Sequence, residues 1–512
     1  MVLSRYTEIE LKLTCTDSSV WENIMTAQSL TRIAVPKSAG RQILDAHYFD
    51  TSTYCLKKAK LAYRIRREGE QWIATIKDGG LSSGGLHERH EWNVVVRGPE
   101  PDLTVFAGTD IGQHLITLVG DQRLEPIVIT KFERRTLMVI MPDGSQIEVA
   151  ADQGTIVAGS QTVPILEVEL ELKSGEPSAL IRLGAALARE YPLLPEQDSK
   201  FYRGLKLAGL SKAQPSPDVT FEINKNELAD VGLRTVLVQL IAQILVAQQV
   251  FLADPASPEH IHELRISIRR LRSLLEFYGP LGDHERCKYH QAELRKLGQI
   301  LGVLREIDVA YVAWEQCSDG PFTHLESTIS LGDMLAKNRK LEAEKVVETL
   351  QAGLTTPILL DMWAMLTDSS KEQQRIEYHL TVGEYSVRRL SGWLETVTKQ
   401  SKTIDWTAIE NVHKLRLQIK KIKYAVEVLE PILYEVSQLI VRQDTLQYNL
   451  GLLSDANSTC RLLRKLLKVN HSEVFYLEVG MVIGWQGRET LTLQGKMDKY
   501  WEKFYRTAQR WL

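Results

Sequence analysis

The stretch Glu8-Ile9-Glu10-Leu11-Lys12-Leu13 decides how the N-terminal half is read. In a strand, side chains alternate faces, so Glu8, Glu10 and Lys12 share one face while Ile9, Leu11 and Leu13 share the other. Taken alone, this reads first as a half-buried strand with a solvated polar side. The pattern recurs, however. Arg64 and Arg66 share a face, as do Arg89 and Glu91, Glu148 and Asp152, and Glu167, Glu169 and Glu171. Repeated strands with dense charge on one side and apolar residues on the other predict a barrel turned inside out. Its charges line the interior, and its apolar residues pack outward against helices. A closed barrel of about eight strands has room inside for one small ligand.

Such an interior must be balanced. The carboxylates of Glu8, Glu10, Asp152, Glu167 and Glu169 repel one another unless neutralised. Hard divalent cations with oxygen ligands do that, and Mg²⁺ is commonly shared between carboxylates and substrate phosphates. Lys12, Arg64, Arg66, Lys77, Arg89, Lys200 and Arg203 supply the opposite sign, and guanidinium forks match phosphate oxygens. Acids and bases together point to a metal–polyphosphate ligand. The plainer alternative is salt bridges with no ligand.

Working outward, alternating segments dominate up to about residue 207. They include Tyr6–Leu13, Ala62–Arg67, Gln71–Lys77, Glu88–Val96, Thr136–Met141, Gln146–Ala151 and Ile165–Lys173, separated by turn clusters such as Lys77-Asp78-Gly79-Gly80. This predicts antiparallel hairpins, with helices at about Ser18–Ala27 and Pro177–Arg189. The small, polar, Pro-containing run from Ala208 marks a linker over 208–221. Beyond it the sequence is long, helical and charge-rich. The expected fold class is therefore α+β: an antiparallel barrel over 1–207, then an all-α bundle over 222–512.

The chain has 512 residues, which at about 150 per domain means two large domains or three smaller ones. With 62 Lys+Arg against 65 Asp+Glu the net charge is −3, so global basic character is excluded and segregated patches are not. The five cysteines are scattered without a CxxC pair, which argues against a disulfide framework or zinc site and fits a reducing compartment. The N-terminal residues lack a basic segment followed by an apolar one, so no signal peptide is expected. Thr235–Ala253 carries no charge and is long enough to span a membrane. Its four glutamines, two of them on one helical face, favour a buried bundle helix, and no membrane association is expected.

The N-terminal residues resemble the CYTH, or triphosphate tunnel metalloenzyme, superfamily. Glu8-Ile9-Glu10-Leu11-Lys12 matches its ExExK signature. In family order follow Tyr48-Phe49-Asp50-Thr51, Leu61-Ala62-Tyr63-Arg64-Ile65-Arg66, Lys77, His87-Glu88-Arg89-His90-Glu91-Trp92, Asp152-Gln153-Gly154, Glu167-Val168-Glu169 and Ser199-Lys200-Phe201-Tyr202-Arg203. The resemblance covers about residues 3–207. It implies an eight-stranded tunnel holding a triphosphate with Mg²⁺ or Mn²⁺. Near Lys131-Phe132-Glu133-Arg134, only one of Lys131 and Arg134 points inward from a regular strand, and Arg134 is assigned to the phosphate.

The second half repeats itself. Ile261-His262-Glu263-Leu264-Arg265 through Arg272 parallels Val412-His413-Lys414-Leu415-Arg416 through Lys423, at an offset of 151. Leu301-Gly302-Val303-Leu304-Arg305-Glu306-Ile307-Asp308 parallels Leu450-Gly451-Leu452-Leu453-Ser454-Asp455-Ala456-Asn457. Two copies of one helical unit, about 222–370 and 371–512, related by a pseudo-twofold, are predicted. His262, Arg265, Arg269 and Arg272 share one helix face, as do His413, Arg416, Lys420 and Lys423. A stack of like charges costs helix stability, so a polyanion partner is expected there. This half resembles the CHAD domain over about 222–512, with Arg305-Glu306-Ile307-Asp308-Val309 close to its R-D-x-D-V segment. That resemblance implies a helical bundle binding inorganic polyphosphate.

The expected activity is metal-dependent hydrolysis of inorganic triphosphate. Glu8, Glu10, Asp152, Glu167 and Glu169 are the expected metal ligands. Lys12, Arg64, Arg66, Lys77, Arg89, Arg134, Lys200 and Arg203 are expected to clamp the triphosphate. Lys12, Glu148 and Asp152 are the expected catalytic residues, the water-directing carboxylate lying among Glu148, Asp152, Glu167 and Glu169. The alternatives are class IV adenylate cyclase, thiamine triphosphatase, or a polyphosphate-binding protein without catalysis. Nucleic acid is not an expected partner, since no aromatic stacking platform is evident. The expected location is the cytoplasm, at polyphosphate granules.

Overall fold

The structure, a computed structural model, describes residues 4–211, 221, 223–319, 331–368, 379–400, 404–433, 436–468 and 473–512. Most of the linker expected at 208–221, together with residue 222, lies outside the described residues. The chain forms two compact units. One comprises Met1–Pro217 with Leu350–Asp368, the other Asp218–Thr349 with Ser369–Leu512. Leu350–Asp368, drawn above with the first helical repeat, thus belongs to the barrel unit.

The first unit is built on β1 (Ser4–Cys15), β2 (Gly40–Thr51), β3 (Ala62–Glu68), β4 (Gln71–Lys77), β5 (Leu81–Ser83), β6 (Leu86–Val96), β7 (Leu124–Ile140), β8 (Gln146–Ala158), β9 (Gln161–Ser174) and β10 (Leu193–Pro195). The order β1-β9-β8-β7-β2-β3-β4-β6 closes through a β1–β6 pairing into an eight-stranded antiparallel barrel, with β5 on β6 and β10 on β1. Two of the hairpins turn on two residues, Gly69-Glu70 and Gly159-Ser160, with the glycine at positive φ where a side chain would be strained. β7 begins well before the strand expected from Thr136.

Register fixes which residues face each other. Glu8 lies opposite Arg89, Lys12 opposite Glu169, Asp152 opposite both Glu167 and Arg134, and Arg64 opposite Thr75. The alternate residues Leu11, Leu13, Ile147, Val149, Val168 and Leu170 are buried on the outer surface. There β1 and β9 meet the Pro177–Glu190 helix, whose Gly184 sits against Leu11 and Leu170. Tyr63, Ile65, Ile76, Trp92 and Val94 are covered by Leu103, Phe106, Leu115 and Val119. The Asp110–Val119 helix that supplies two of these was not anticipated.

One expectation needs correction. The interior is not charged throughout. Leu44, Ala46 and Tyr48 of β2 pair with residues that share the face of Arg64, Arg66 and Arg134, and they cluster with Val128, Phe132, Ile156 and Ile165. This apolar end is packed by Phe201 and Leu207 of the Lys200–Leu207 helix. Only part of the cavity is left for charge.

The second unit consists of long helices. Pro258–Tyr278 and Ile409–Leu429 are 21 residues each and start 151 residues apart. They pack together through reciprocal ion pairs, Arg270 to Glu427 at 3.4 Å and Lys421 to Glu276 at 2.7 Å. The same offset of 151 carries Arg270 onto Lys421 and Glu276 onto Glu427. Each helix therefore gives its partner what it receives, as a pseudo-twofold requires. The Ala229–Ala253 helix is long and apolar enough to cross a membrane by composition, and 56% of its apolar window is buried inside the bundle.

Candidate functional site

The charged end of the barrel is a continuous network of opposed side chains. Lys12 joins Glu10, at 2.9 Å, to Glu169. Arg89 reaches Glu10 at 3.1 Å and Glu8 at 3.8 Å. Lys77 bridges Glu8, at 2.8 Å, and Glu91, at 2.5 Å. On the facing wall, Arg134 grips Asp152 with two hydrogen bonds of 2.8 and 2.6 Å and also touches Glu169. Lys200 enters from its helix to reach Asp152 at 2.8 Å, Glu169 at 2.9 Å and Glu167. Arg203, one turn on, donates to Glu167 at 3.2 Å.

These pairings set the charge states. Burial opposes the charge on Glu10, but Lys12 and Arg89 outweigh it and hold the carboxyl at about 2. Burial opposes the charge on Glu169 too, and Lys12, Lys200 and Arg134 hold it well below the usual range. Glu8 goes the other way: burial and the neighbouring Glu10 raise it, against the pull of Lys77. Burial, aided by Lys12, pushes His87 down to about 4, so it is neutral at physiological pH.

Asp152, Glu167 and Glu169 bring carboxylate oxygens within 4.8 Å of one another. Three hard oxygen donors at that spacing suit Mg²⁺ or Mn²⁺, so the residues present fit a divalent cation. Glu8 and Glu10 lie outside this trio and are held by Lys77, Arg89 and Lys12. Glu148 stands apart from Asp152. It is half-buried beside Lys173, at 3.6 Å, which in turn pairs with Glu171.

Arg64 hydrogen-bonds Thr75 at 3.2 Å and lies 3.8 Å from Glu91. Arg66 is engaged by Glu68, its Nε donating at 2.6 Å. Arg134 is the inward residue of its segment, and Lys131 is exposed. The site also holds residues that sequence reasoning did not assign. Glu91 binds Lys77 and Tyr6, and Asn93 reaches Tyr6, at 3.3 Å, and Thr75, at 2.7 Å. The signal for Glu91 was its shared face with Arg89.

In the helical unit, the two basic faces converge rather than forming separate surfaces. Arg265, Arg269 and His262 from one copy meet Arg416 and Lys420 from the other, joined by Arg305. Arg265 donates to the Gly298 carbonyl at 2.9 Å. Burial and then Arg269 and Arg305 bring its guanidinium down to about 10. Not every expected residue joins. Lys423 is taken by Asp444 at 2.9 Å and Glu427 at 3.4 Å. Arg272 faces Arg295 and Arg269. His413 is exposed near Arg416 and Arg461.

Comparison with known proteins follows the same division. Residues 7–205 match the CYTH domain family and residues 235–464 the CHAD domain family. Over 202 residues the chain is 32% identical to the inorganic triphosphatase of Haemophilus influenzae, covering 36% of this chain and 56% of that protein. It is 24% identical over 321 residues to an uncharacterized protein of Mycobacterium tuberculosis, covering 60% of this chain and 59% of the relative. The chain thus spans a little over half the length of these curated relatives. Among solved structures, the CHAD domain from the plant Ricinus communis aligns at TM-score 0.47 and 17% identity, over 57% of this chain and 97% of that one. A putative adenylyl cyclase from Hippeastrum, with a dominant triphosphatase activity, aligns at TM-score 0.30 and 18% identity, over 41% of this chain and 98% of that one.

Proposed function

We propose, for a chain that is a CYTH domain followed by a CHAD domain, that the barrel hydrolyses inorganic triphosphate to diphosphate and phosphate with Mg²⁺ or Mn²⁺, and that the helical unit binds inorganic polyphosphate. The observation that carries the first half is the carboxylate trio Asp152, Glu167 and Glu169 ringed by Lys12, Arg134 and Lys200 inside a closed barrel. A site for an anion alone has no use for so many acids, and a site for a cation alone has no use for so many bases. The name of the Haemophilus influenzae relative agrees with this reading.

A bound divalent cation supplies positive charge that polarises a phosphoryl oxygen. The chain's own residues do the rest. Asp152, Glu167 and Glu169 hold the cation, with Glu8 and Glu10 as further donors. Lys12, Arg64, Arg66, Lys77, Arg89, Arg134, Lys200 and Arg203 bind the non-bridging oxygens. As triphosphate enters, Lys12, Arg134 and Lys200 exchange carboxylate partners for phosphate oxygens and so release the trio. Water then adds to the terminal phosphorus, the bridging P–O bond breaks, and diphosphate leaves with its charge met by cations already in place. Asp152, Glu167 or Glu169 orients the water and accepts its proton, with Glu148 the more distant candidate.

The test is phosphate release from inorganic triphosphate, ATP, thiamine triphosphate and long polyphosphate, with Mg²⁺, Mn²⁺ or chelator. Metal-dependent release from inorganic triphosphate that is lost in Glu10→Ala is expected. Cyclic AMP from ATP, or faster release from thiamine triphosphate, would replace this substrate. No release from any of them by folded protein would leave only the binding role. For the helical unit, Arg269→Glu with Lys420→Glu is expected to weaken polyphosphate binding at least tenfold, most visibly at low salt. Normal binding by that variant would end the second half of the proposal. The free cysteines at 15, 55, 287, 317 and 460 agree with a cytoplasmic location.

A further inference from the structure

Lys420 occupies the seam where the two basic helix faces meet, and its surroundings are unusual for a lysine. On its own helix it has Arg416 one turn before and Tyr424 one turn after, its Nζ lying 6.0 Å from the Tyr424 ring centroid. The Pro258–Tyr278 helix presents Arg265, Arg269 and His262 toward it. The His284–Ser318 helix adds Arg305, with Glu306, against Arg265 and His262. The Ser437–Leu466 helix contributes Asp455, which sits 3.9 Å from Arg416, while its Asp444 is committed to Lys423. The Val382–Gln400 helix meets the other side of the Lys420 helix, where Trp393 lies 4.0 Å from Lys421. Among the described residues no carboxylate comes within ion-pair distance of Lys420. It therefore faces several arginines and one acid already shared.

We infer that the seam binds polyphosphate together with a proton, which is taken up by the Lys420 amine. The inference rests on the reading that the helical unit is a polyphosphate site. Burial, followed by Arg269 and Arg416, brings the free lysine down to about 6, so at pH 7.5 most molecules carry a neutral amine there. This neutral form spares the empty seam one positive charge. A bound polyanion reverses the local potential and restores the ammonium form. Linkage then fixes the sign. Between the low pKa of the free site and the higher pKa of the bound one, affinity falls about tenfold for each unit of pH rise. His262 is also held below its ordinary value by burial and Arg305, and the Lys420 variants separate its part in proton uptake from that of the lysine.

The test is titration calorimetry of the full chain with polyphosphate of defined length, in chelator, at pH 8. It is run in Tris and in Hepes, whose heats of ionisation differ. About one proton taken up per polyphosphate bound is expected, together with an affinity slope of about one decade per pH unit. Lys420→Arg, which keeps its charge, and Lys420→Gln, which never has one, should both bind without uptake and with a flattened slope. Binding without proton uptake by the natural sequence, or uptake undiminished in Lys420→Arg, overturns the inference while leaving the polyphosphate site intact. Absence of binding by the natural sequence removes the site itself, and the inference with it.

Discussion

At the scale of single residues, the barrel works by opposed charges that each have several partners. Glu169 shows this most clearly, since Lys12, Lys200 and Arg134 all lean on it. Replacing it with Gln leaves three buried cations short of a counter-charge. A loss on the order of 3 kcal/mol is expected in denaturant unfolding without ligand. Added inorganic triphosphate should recover part of it, because phosphate oxygens supply the missing charge. Acid should act on the same network. Glu10, held at about 2 against an ordinary 4.5, and Glu169, also depressed, stabilise the fold fully above pH 4.5 and lose that contribution as pH falls toward 2. Glu8 is raised, so its contribution runs the other way and fades as pH rises past 4.5. Glu91 is depressed as well, while Glu171 and Glu196 are raised like Glu8. The depressed carboxyls each hold two or more cationic partners, which acid sets free, so the melting temperature should drop on acidification through this window, and less steeply in Glu10→Gln. A flat profile from pH 5 to 2.5 would contradict the assignment. The inward charges were legible because strand alternation is local. Their partners were not, because closing β1 onto both β6 and β9 sets register across stretches of chain far apart in sequence.

At the scale of elements, the short Lys200–Leu207 helix matters most for the site. Ser199 caps it through the Tyr202 amide. Its first turn delivers Lys200 and Arg203 to the carboxylates, and its far side plugs the apolar end of the barrel. Gly204 makes this possible, because a Cβ there would collide with both methyl groups of Val128. Gly204→Ala should lift the helix, cost about 1–3 kcal/mol by overpacking, and lower kcat/KM by drawing Lys200 and Arg203 away. Val128→Ala removes the methyls and should rescue the double variant by more than the sum of the single effects allows. Strict additivity would show that the helix is not seated on Val128. The motif Ser199-Lys200-Phe201-Tyr202-Arg203 was visible in the sequence as a source of cations. Its plugging role was not, because β2 and β7 place apolar residues on the inner face, against the pattern of β1 and β9. Nothing local to those strands marks that face as inward.

At the scale of the molecule, the two units were read as consecutive in sequence, and the structure departs from this at one segment. Leu350–Asp368 lies within the stretch matched by the CHAD family, yet it belongs to the barrel unit. Its Thr356–Thr367 helix is strongly apolar, with Leu359, Leu360, Met362, Trp363 and Leu366 buried. It packs on the Pro177–Glu190 helix, where Leu360 approaches Gly184, and Asp361 meets Arg189 at 2.9 Å. The Pro177–Glu190 helix in turn covers β1 and β9, the strands carrying Glu10, Lys12, Glu167 and Glu169. It is buried on nearly every side, which a single covering of strands would not achieve. Sequence alone could not place the 350–368 segment, since an apolar helix among apolar helices carries no sign of its partner. A fragment ending at residue 211 therefore keeps the tunnel residues but exposes the apolar face that Leu359, Leu360 and Trp363 would cover. Such fragments should melt several degrees below the barrel transition of the full chain and self-associate through that face. A synthetic peptide of residues 350–368 added in trans should raise the melting temperature of the fragment and restore the monomer. A peptide with Leu360→Asp should do neither, because it places a charge against Gly184. If the fragment alone melts with the full chain and ignores the peptide, the segment is a passenger on the barrel and not part of its core.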